Sequence, residues 1–165
     1  METSGSSMQL TRAADYAIRV MIHLATLSTN QRVFLPSLAE ATGAPSSFLS
    51  KVLQALSRAG MVSSRRGQMG GFEILDCGRH ASIREVAEAI DGPIHLNDCL
   101  VDGKSCSRKA WCPAHSIWAR AQSAMLEVLD SAIIADLAAQ AAVSVINPPK
   151  TSSSRATRNR LAGSS

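Results

Sequence analysis

A chain of 165 residues with 45% hydrophobic content is long enough for one medium domain, or a small domain with an appendage, and apolar enough to bury a core. Aromatic residues make up only 4%, so that core is expected to rest on Ala, Leu, Ile, Val and Met. The opening METSGSS has neither the basic start nor the apolar run of a signal peptide, and no run reaches the ~18 uninterrupted apolar residues of a membrane span, so a cytoplasmic protein without a membrane partner is expected. The formal net charge of +4 is unevenly placed: residues 8–72 carry seven Lys/Arg against two acids, residues 73–146 six against ten. A basic half joined to an acidic half points to a polyanionic partner at one end.

Residues 1–7 and 147–165 are polar and Ser-rich, the second also Pro-broken, and read as disordered tails; the second is basic through Lys150, Arg155, Arg158 and Arg160. From Thr11 to about Ser28, Ala14, Ala17, Ile18, Met21, Leu24 and Ala25 recur at three- and four-residue steps. That spacing predicts an amphipathic helix with Thr11 as its N-cap. Gln31–Leu35 reads as a short strand, and residues 36–43 as a short helix begun near Pro36 and ended by Gly43. A second helix is expected from Ser46 to Ala59, stopped by Gly60. Its apolar face is Leu49, Val52, Leu53 and Leu56; its polar face is Ser47, Ser50, Lys51, Gln54 and Arg58. Two strand-like runs, Met61–Ser64 and Gly71–Leu75, flank the basic, glycine-rich turn RRGQMGG. Ser82 to Asp91 reads as a helix with Ser82 and Glu85 in capping-box spacing. From about residue 114 to 146 the pattern is helical again, with a wide apolar stripe through Trp118, Ala121, Met125, Val128 and Leu126, Leu129, Ile133, Leu137. A single helix that long needs more partner surface than this domain offers, so a homodimer helix is expected in preference to packing on its own domain.

Ala39, Gly43 and Leu49 are spaced as a helix-turn-helix requires: a small residue where two helices cross, a glycine for positive φ in the turn, and an apolar anchor on the second helix. Followed by a hairpin carrying Arg65-Arg66-Gly67, they predict a mainly α fold with a small β-wing, a winged helix-turn-helix over residues 8–91 that reads double-stranded DNA. Ser46, Ser47 and Ser50 would meet bases or phosphate from the recognition helix, with Lys51 on phosphate and Arg65 or Arg66 at the wing tip in a minor groove or on phosphate.

Cys99, Cys106, Cys112 and His115 lie in or just after a loop spanning about 92–113. In a chain without a secretion signal, three thiols and an imidazole so close together point to metal rather than disulfides. The spacing Cys-x6-Cys-x5-Cys-x2-His has one tight pair and two long arms, which suits an iron–sulfur cluster better than one tetrahedral zinc; zinc, or redox thiols without metal, remain alternatives. Cys77 reads as an incidental thiol, and His95 and Asp98 as outer partners of the site. No nucleophile triad, phosphate-cradling loop or carboxylate pair appears, so no enzymatic activity is expected.

With both constellations in place, the chain from Met8 to about Ala142 resembles the bacterial IscR/NsrR/RirA family of iron–sulfur transcription regulators. MQLTRAADYAIR looks like the family's first helix, RRGQMGGF like its wing, SIREVAEAID like the helix after it, and the three cysteines like its cluster ligands. The resemblance implies a winged-helix dimer on a partly palindromic operator, most simply a repressor, whose loop is released by oxidation, nitrosylation or cluster loss. Cys112, His115 and Trp118 reproduce the Cys-x2-His-x2-Trp pattern of IscR-like members, which implies a 2Fe–2S cluster. Asp15 matches the position from which NsrR-like members draw a ligand from the partner subunit, which would imply 4Fe–4S. The six-residue gap between Cys99 and Cys106 replaces the five usual in IscR-like chains, and the reading adopted is His115. The competing readings are a zinc-stabilised or metal-free winged-helix repressor and, in another class, an iron–sulfur electron-transfer protein, which has no use for a helix-turn-helix or a basic wing.

Overall fold

The computed structural model describes residues 10–67, 70–101 and 106–146, with the side chains of 144–146 left aside. The expected tails and two short stretches, 68–69 at the wing tip and 102–105 in the cysteine loop, lie outside the described residues. The fold is mainly helical with one two-stranded antiparallel sheet.

Helix α1 (Arg12–Thr26) starts where Thr11 accepts from the Ala14 amide, and buries Ala14, Ala17, Val20, Met21 and Leu24. Helices α2 (Leu35–Thr42) and α3 (Ser46–Arg58) are joined at Gly43, whose φ of 68° closes the turn; Leu49, Val52, Leu53 and Leu56 bury against α1 and α2. The wing is β1 (Val62–Arg65) paired with β2 (Gly71–Ile74), with Val62 opposite Ile74 and Arg65 opposite Gly71. The strand expected at 31–35 is a single bridge: Val33 and Phe72 exchange both backbone bonds at 2.9 Å. The bridge explains Gly71, where φ is 116° and a β-carbon would lie 2.8 Å from the Val33 carbonyl oxygen. Arg32 reinforces it with a 2.8 Å ion pair to Glu73. One turn of helix, α4 (Asp76–Arg79), follows where the sequence pattern gave no element. Helix α5 (Ile83–Asp91) opens with the expected capping box, the Ser82 hydroxyl accepting from the Glu85 amide and the Glu85 carboxylate accepting from the Ser82 amide at 2.7 Å. At its other end Asp91 accepts from the Thr11 hydroxyl at 2.7 Å, tying α5 to the start of α1.

The single helix expected over 114–146 is two. Helix α6 (Pro113–Ser131) ends at Ala132, whose ψ of 94° is non-helical, and α7 (Ile134–Ile146) starts anew. No proline or glycine causes the break. The Ala132 carbonyl instead accepts from the Ile83 amide at 2.9 Å, and the Ile134 amide donates to the Ala81 carbonyl at 3.0 Å, so an antiparallel bridge replaces helical bonds. The two halves then differ in kind. Helix α7 packs on α1 and places Ile134 and Ala138 in the core, whereas α6 has no buried residue and leaves Ile117, Trp118 and Val128 exposed. Helix α7 thus packs into the core of its own domain, whereas α6 touches that domain through α5 and keeps its other side uncovered. Ile134→Ala should remove about 2–5 kcal/mol of stability, read as a lowered denaturant midpoint at unchanged slope; a loss of under about 0.5 kcal/mol would place α7 outside the core.

Candidate functional site

Two regions carry the chemistry expected from the sequence, and different elements build them. The first lies between α3 and the wing. The amphipathic pattern that buries Leu49, Val52, Leu53 and Leu56 turns Ser50, Gln54, Ser57 and Arg58 toward β1, and a cleft of about 410 Å³ opens between that row and Ser64, Arg65 and Arg66, with Phe72 also in its lining. Of the residues expected to contact DNA, Ser50, Arg65 and Arg66 line this cleft together; Ser46, Ser47 and Lys51 are exposed on α3 outside it. Pro45 holds the N-cap position of α3 and supplies no side-chain cap; its carbonyl accepts from the Phe48 and Leu49 amides, and the helix N-terminus ahead of them is of the kind suited to a phosphate oxygen. Phe48 meets Tyr16 edge to face at a ring separation of 5.7 Å, which ties the recognition helix to α1 rather than freeing the ring as a wedge.

Gln54, Arg58 and Ser64 join this surface without having been singled out as site residues. Their signal was present: Ser50, Gln54 and Arg58 recur every four residues on the polar face of one helix. What the sequence lacks is the angle of the wing, which brings Arg65 and Arg66 beside that row. The cleft therefore gathers three guanidinium groups, Arg58, Arg65 and Arg66, with hydroxyl and amide donors between them, a set matched to phosphates and base edges.

The second region is the cysteine loop. Cys99 lies in a 3-10 turn, Asp98–Leu100, that packs on α6. Cys106 is exposed at the start of a turn in which its carbonyl accepts from the Lys109 amide, Trp111 is exposed just beyond with Arg108 stacked over its ring, and Cys112 is the N-cap of α6. His115 sits in the first turn of that helix, where its amide donates to the Cys112 carbonyl at 3.1 Å. Proline at the first helical position starts α6 here. Among the described residues no three His, Cys, Asp or Glu side chains converge on one point, so the structure places Cys112 and His115 in one turn and Cys99 on an element packed against the same helix, but does not bring the four together.

The donor set nevertheless fits an iron–sulfur group. All three thiols are free, and the Nδ1 atom of His115 is buried without a hydrogen-bond partner among the described residues. A buried imidazole nitrogen with no partner is costly unless something binds the ring. His95 shows the same feature in the segment leading into the loop. Asp15 is paired with Arg19 at 2.8 Å along α1, both groups about half exposed, so its carboxylate already has a cation. Cys77 stands apart, donating to the Gly60 carbonyl beside the wing.

Comparison with known proteins gives the family and agrees with the fold. The sequence profile of the Rrf2 family, described as an iron-dependent transcriptional regulator, matches residues 10–140. A candidate HTH-type transcriptional regulator of Mycobacterium tuberculosis is 33% identical over 137 residues, covering 79% of this chain and 81% of the relative. The HTH-type transcriptional repressor NsrR of Streptomyces coelicolor is 29% identical over 133 residues, covering 80% and 89%. Among solved structures, IscR of T. potens superposes with a TM-score of 0.60 at 26% identity, covering 81% of this chain and 88% of that one. No helix among the described residues is long and apolar enough to cross a membrane. The chain belongs to the Rrf2 family of winged-helix transcriptional regulators.

Proposed function

We propose that this regulator is a homodimeric, DNA-binding repressor whose operator affinity is set by an iron–sulfur cluster held in the loop between α5 and α6. The observation that carries the DNA-reading half is the cleft in which Arg58, Arg65 and Arg66 surround Ser50 and Gln54. Arginines at a wing tip neutralise phosphates and enter the minor groove, while the start of α3 approaches base edges. The exposed apolar side of α6, with Trp118 and Ile117 on it, supports a second copy of the chain as its cover. A monomer would leave that stripe in water, and paired α6 helices would set two α3 helices at a fixed spacing on a palindromic site.

Cys99, Cys106 and Cys112 would hold the cluster, with His115 as fourth ligand and Asp15 of the partner subunit as the alternative. The orphaned Nδ1 of His115 supports the first choice, and the Asp15–Arg19 pair weighs against the second. When bound, such a cluster supplies iron whose thiolate bonds are lost to oxidants, nitric oxide or iron scarcity. The chain's own residues do the rest. The three thiolates close the loop on α6, and α5 packs against both α6 and the recognition helix, so loop position and α3 position are mechanically related.

Anaerobic purification followed by a visible spectrum and iron and sulfide assay tests the proposal; a colourless protein containing stoichiometric zinc overturns the cluster. His115→Ala should keep iron but shift the absorption bands or hasten their loss, whereas an Asp15→Ala variant with that effect alone would reassign the ligand. Arg66→Ala should flatten the logarithmic salt slope of operator binding by about one unit, and an unchanged slope removes Arg66 from the interface. Trp118→Ala should weaken self-association at least about tenfold, as loss of a buried aromatic anchor does; sedimentation that shows an unaltered dimer excludes α6 as its seam.

A further inference from the structure

The segment between α5 and the first cysteine is fastened at two points. The Ile94 amide donates to the Glu88 carboxylate at 3.2 Å, and the Leu96 amide donates to the Gln122 side-chain oxygen on α6 at 2.9 Å. The oxygen of Glu88 that holds Ile94 also accepts from Arg84 at 3.1 Å, and Arg84 reaches across to Asp130 on α6 at 3.0 Å. Asp130 and Glu88 together engage the Arg84 guanidinium, which is charged at any physiological pH. One root of the cysteine loop is therefore held jointly by α5 and α6, three residues before Cys99, while its other root is the N-cap of α6 at Cys112.

The geometry points to Gln122 as a positioning residue: by anchoring Leu96 on α6 it holds the loop root in place, so that movement of the cysteine loop is delivered through Ile94 and Glu88 into α5, and from α5 into the recognition helix. The inference rests on the iron–sulfur reading above and deepens it. The loop has two routes to α3. Through Cys112 it acts on α6, which reaches the reading domain by way of α5 and the Arg84–Asp130 pair near the far end of that helix. Through residues 92–96 it acts on α5 directly, because Gly92 ends that helix and Glu88, one turn earlier, grips the same segment. Helix α5 in turn packs on α3 and, through Asp91 and Thr11, fixes the start of α1. The Gln122 bond is the element of this strap that crosses from the loop root to α6 without a charge, so its removal changes no ion pair and leaves the Arg84–Asp130 contact in place. A neutral amide–carbonyl bond of this type is weak enough to break when the loop is released and strong enough to bias a two-state equilibrium.

The test compares the wild type with Gln122→Leu, which keeps the volume and loses the acceptor, and Gln122→Glu, which restores one. Operator affinity is measured for iron-loaded and metal-free protein, and amide hydrogen exchange for the metal-free protein alone. A switch of ordinary size changes affinity about 5–150-fold in the wild type, and Gln122→Leu should shrink that ratio at least about threefold while Gln122→Glu recovers it. In the metal-free protein Gln122→Leu should speed exchange at Leu96 and alter it in α3, with the thermal midpoint unchanged. If the wild type responds to iron and Gln122→Leu responds equally, the strap is overturned and the cluster reading stands. If the wild type takes up no iron, the cluster reading fails and exchange decides alone: faster exchange at Leu96 with α3 altered supports the strap, and α3 unchanged overturns it. A lowered thermal midpoint with both affinities reduced alike would make Gln122 merely structural and also overturn the assignment.

Discussion

The pairing of residues 81–83 with 132–134 is the constraint on which the rest of the molecule depends. Two backbone bonds, at 2.9 and 3.0 Å, are made where α6 would otherwise have continued. The two bridge bonds, each of about 1 kcal/mol net, replace only part of the helical bonds that an interruption removes. Burial decides it. Ile134, just past the break, is wholly enclosed, and full burial of such a side chain contributes about 1.5–3 kcal/mol. The break returns α7 to α1, completes the core, and leaves α6 projecting with its apolar side uncovered. Ser82 takes part twice, as the cap of α5 and as a member of the bridge, so the helix that touches α3 starts at the point where α6 ends.

Around that junction the charges separate by task. Arg58, Arg65 and Arg66 gather at the cleft without an ion pair to the described acids, as the proposed phosphate contacts require. Arg84 is engaged by two carboxylates and serves the internal connection between α5 and α6. The same residue type thus has opposite uses a short distance apart, and its neighbours decide which. The uneven charge along the chain is the sequence trace of this division, with an outward-facing basic half and a half whose charges are partly satisfied internally.

Much of the fold can be read from local pattern. The three- and four-residue recurrence in 12–26, the small residue at Ala39, positive φ at Gly43 and the Ser82–Glu85 box each state their role within one or two turns of chain, and each is found in the structure. The elements misjudged are those decided by distant partners. The stretch around Ala132 holds β-branched and short polar residues of middling helix propensity but no proline or glycine, and nothing local reveals that Ala81 and Ile83 will take its backbone groups. The strand expected near 31–35 shrinks to one bridge because Val33 meets only Phe72. The site divides in the same way. Ser50, Arg65 and Arg66 could be assigned from a helix face and a turn, but Arg58 and Ser64 become neighbours of the wing only through the angle at which β1 leaves α3. The four candidate metal ligands were visible as a spacing, whereas their approach to one point depends on the loop, which includes residues outside those described.

The chain is an Rrf2-family regulator, and in the function proposed above its cysteine loop, rooted on the projecting helix, is the sensor. The measurement that tests this most directly is the operator dissociation constant of one anaerobic preparation before and after its iron is removed, at fixed salt and with the dimer intact. The account predicts a change of about fivefold or more, the lower end of an allosteric coupling, with the salt slope conserved because the same arginines meet phosphate in both states. Equal affinity in the two states would contradict it, leaving a winged-helix regulator whose cysteine loop has no part in control.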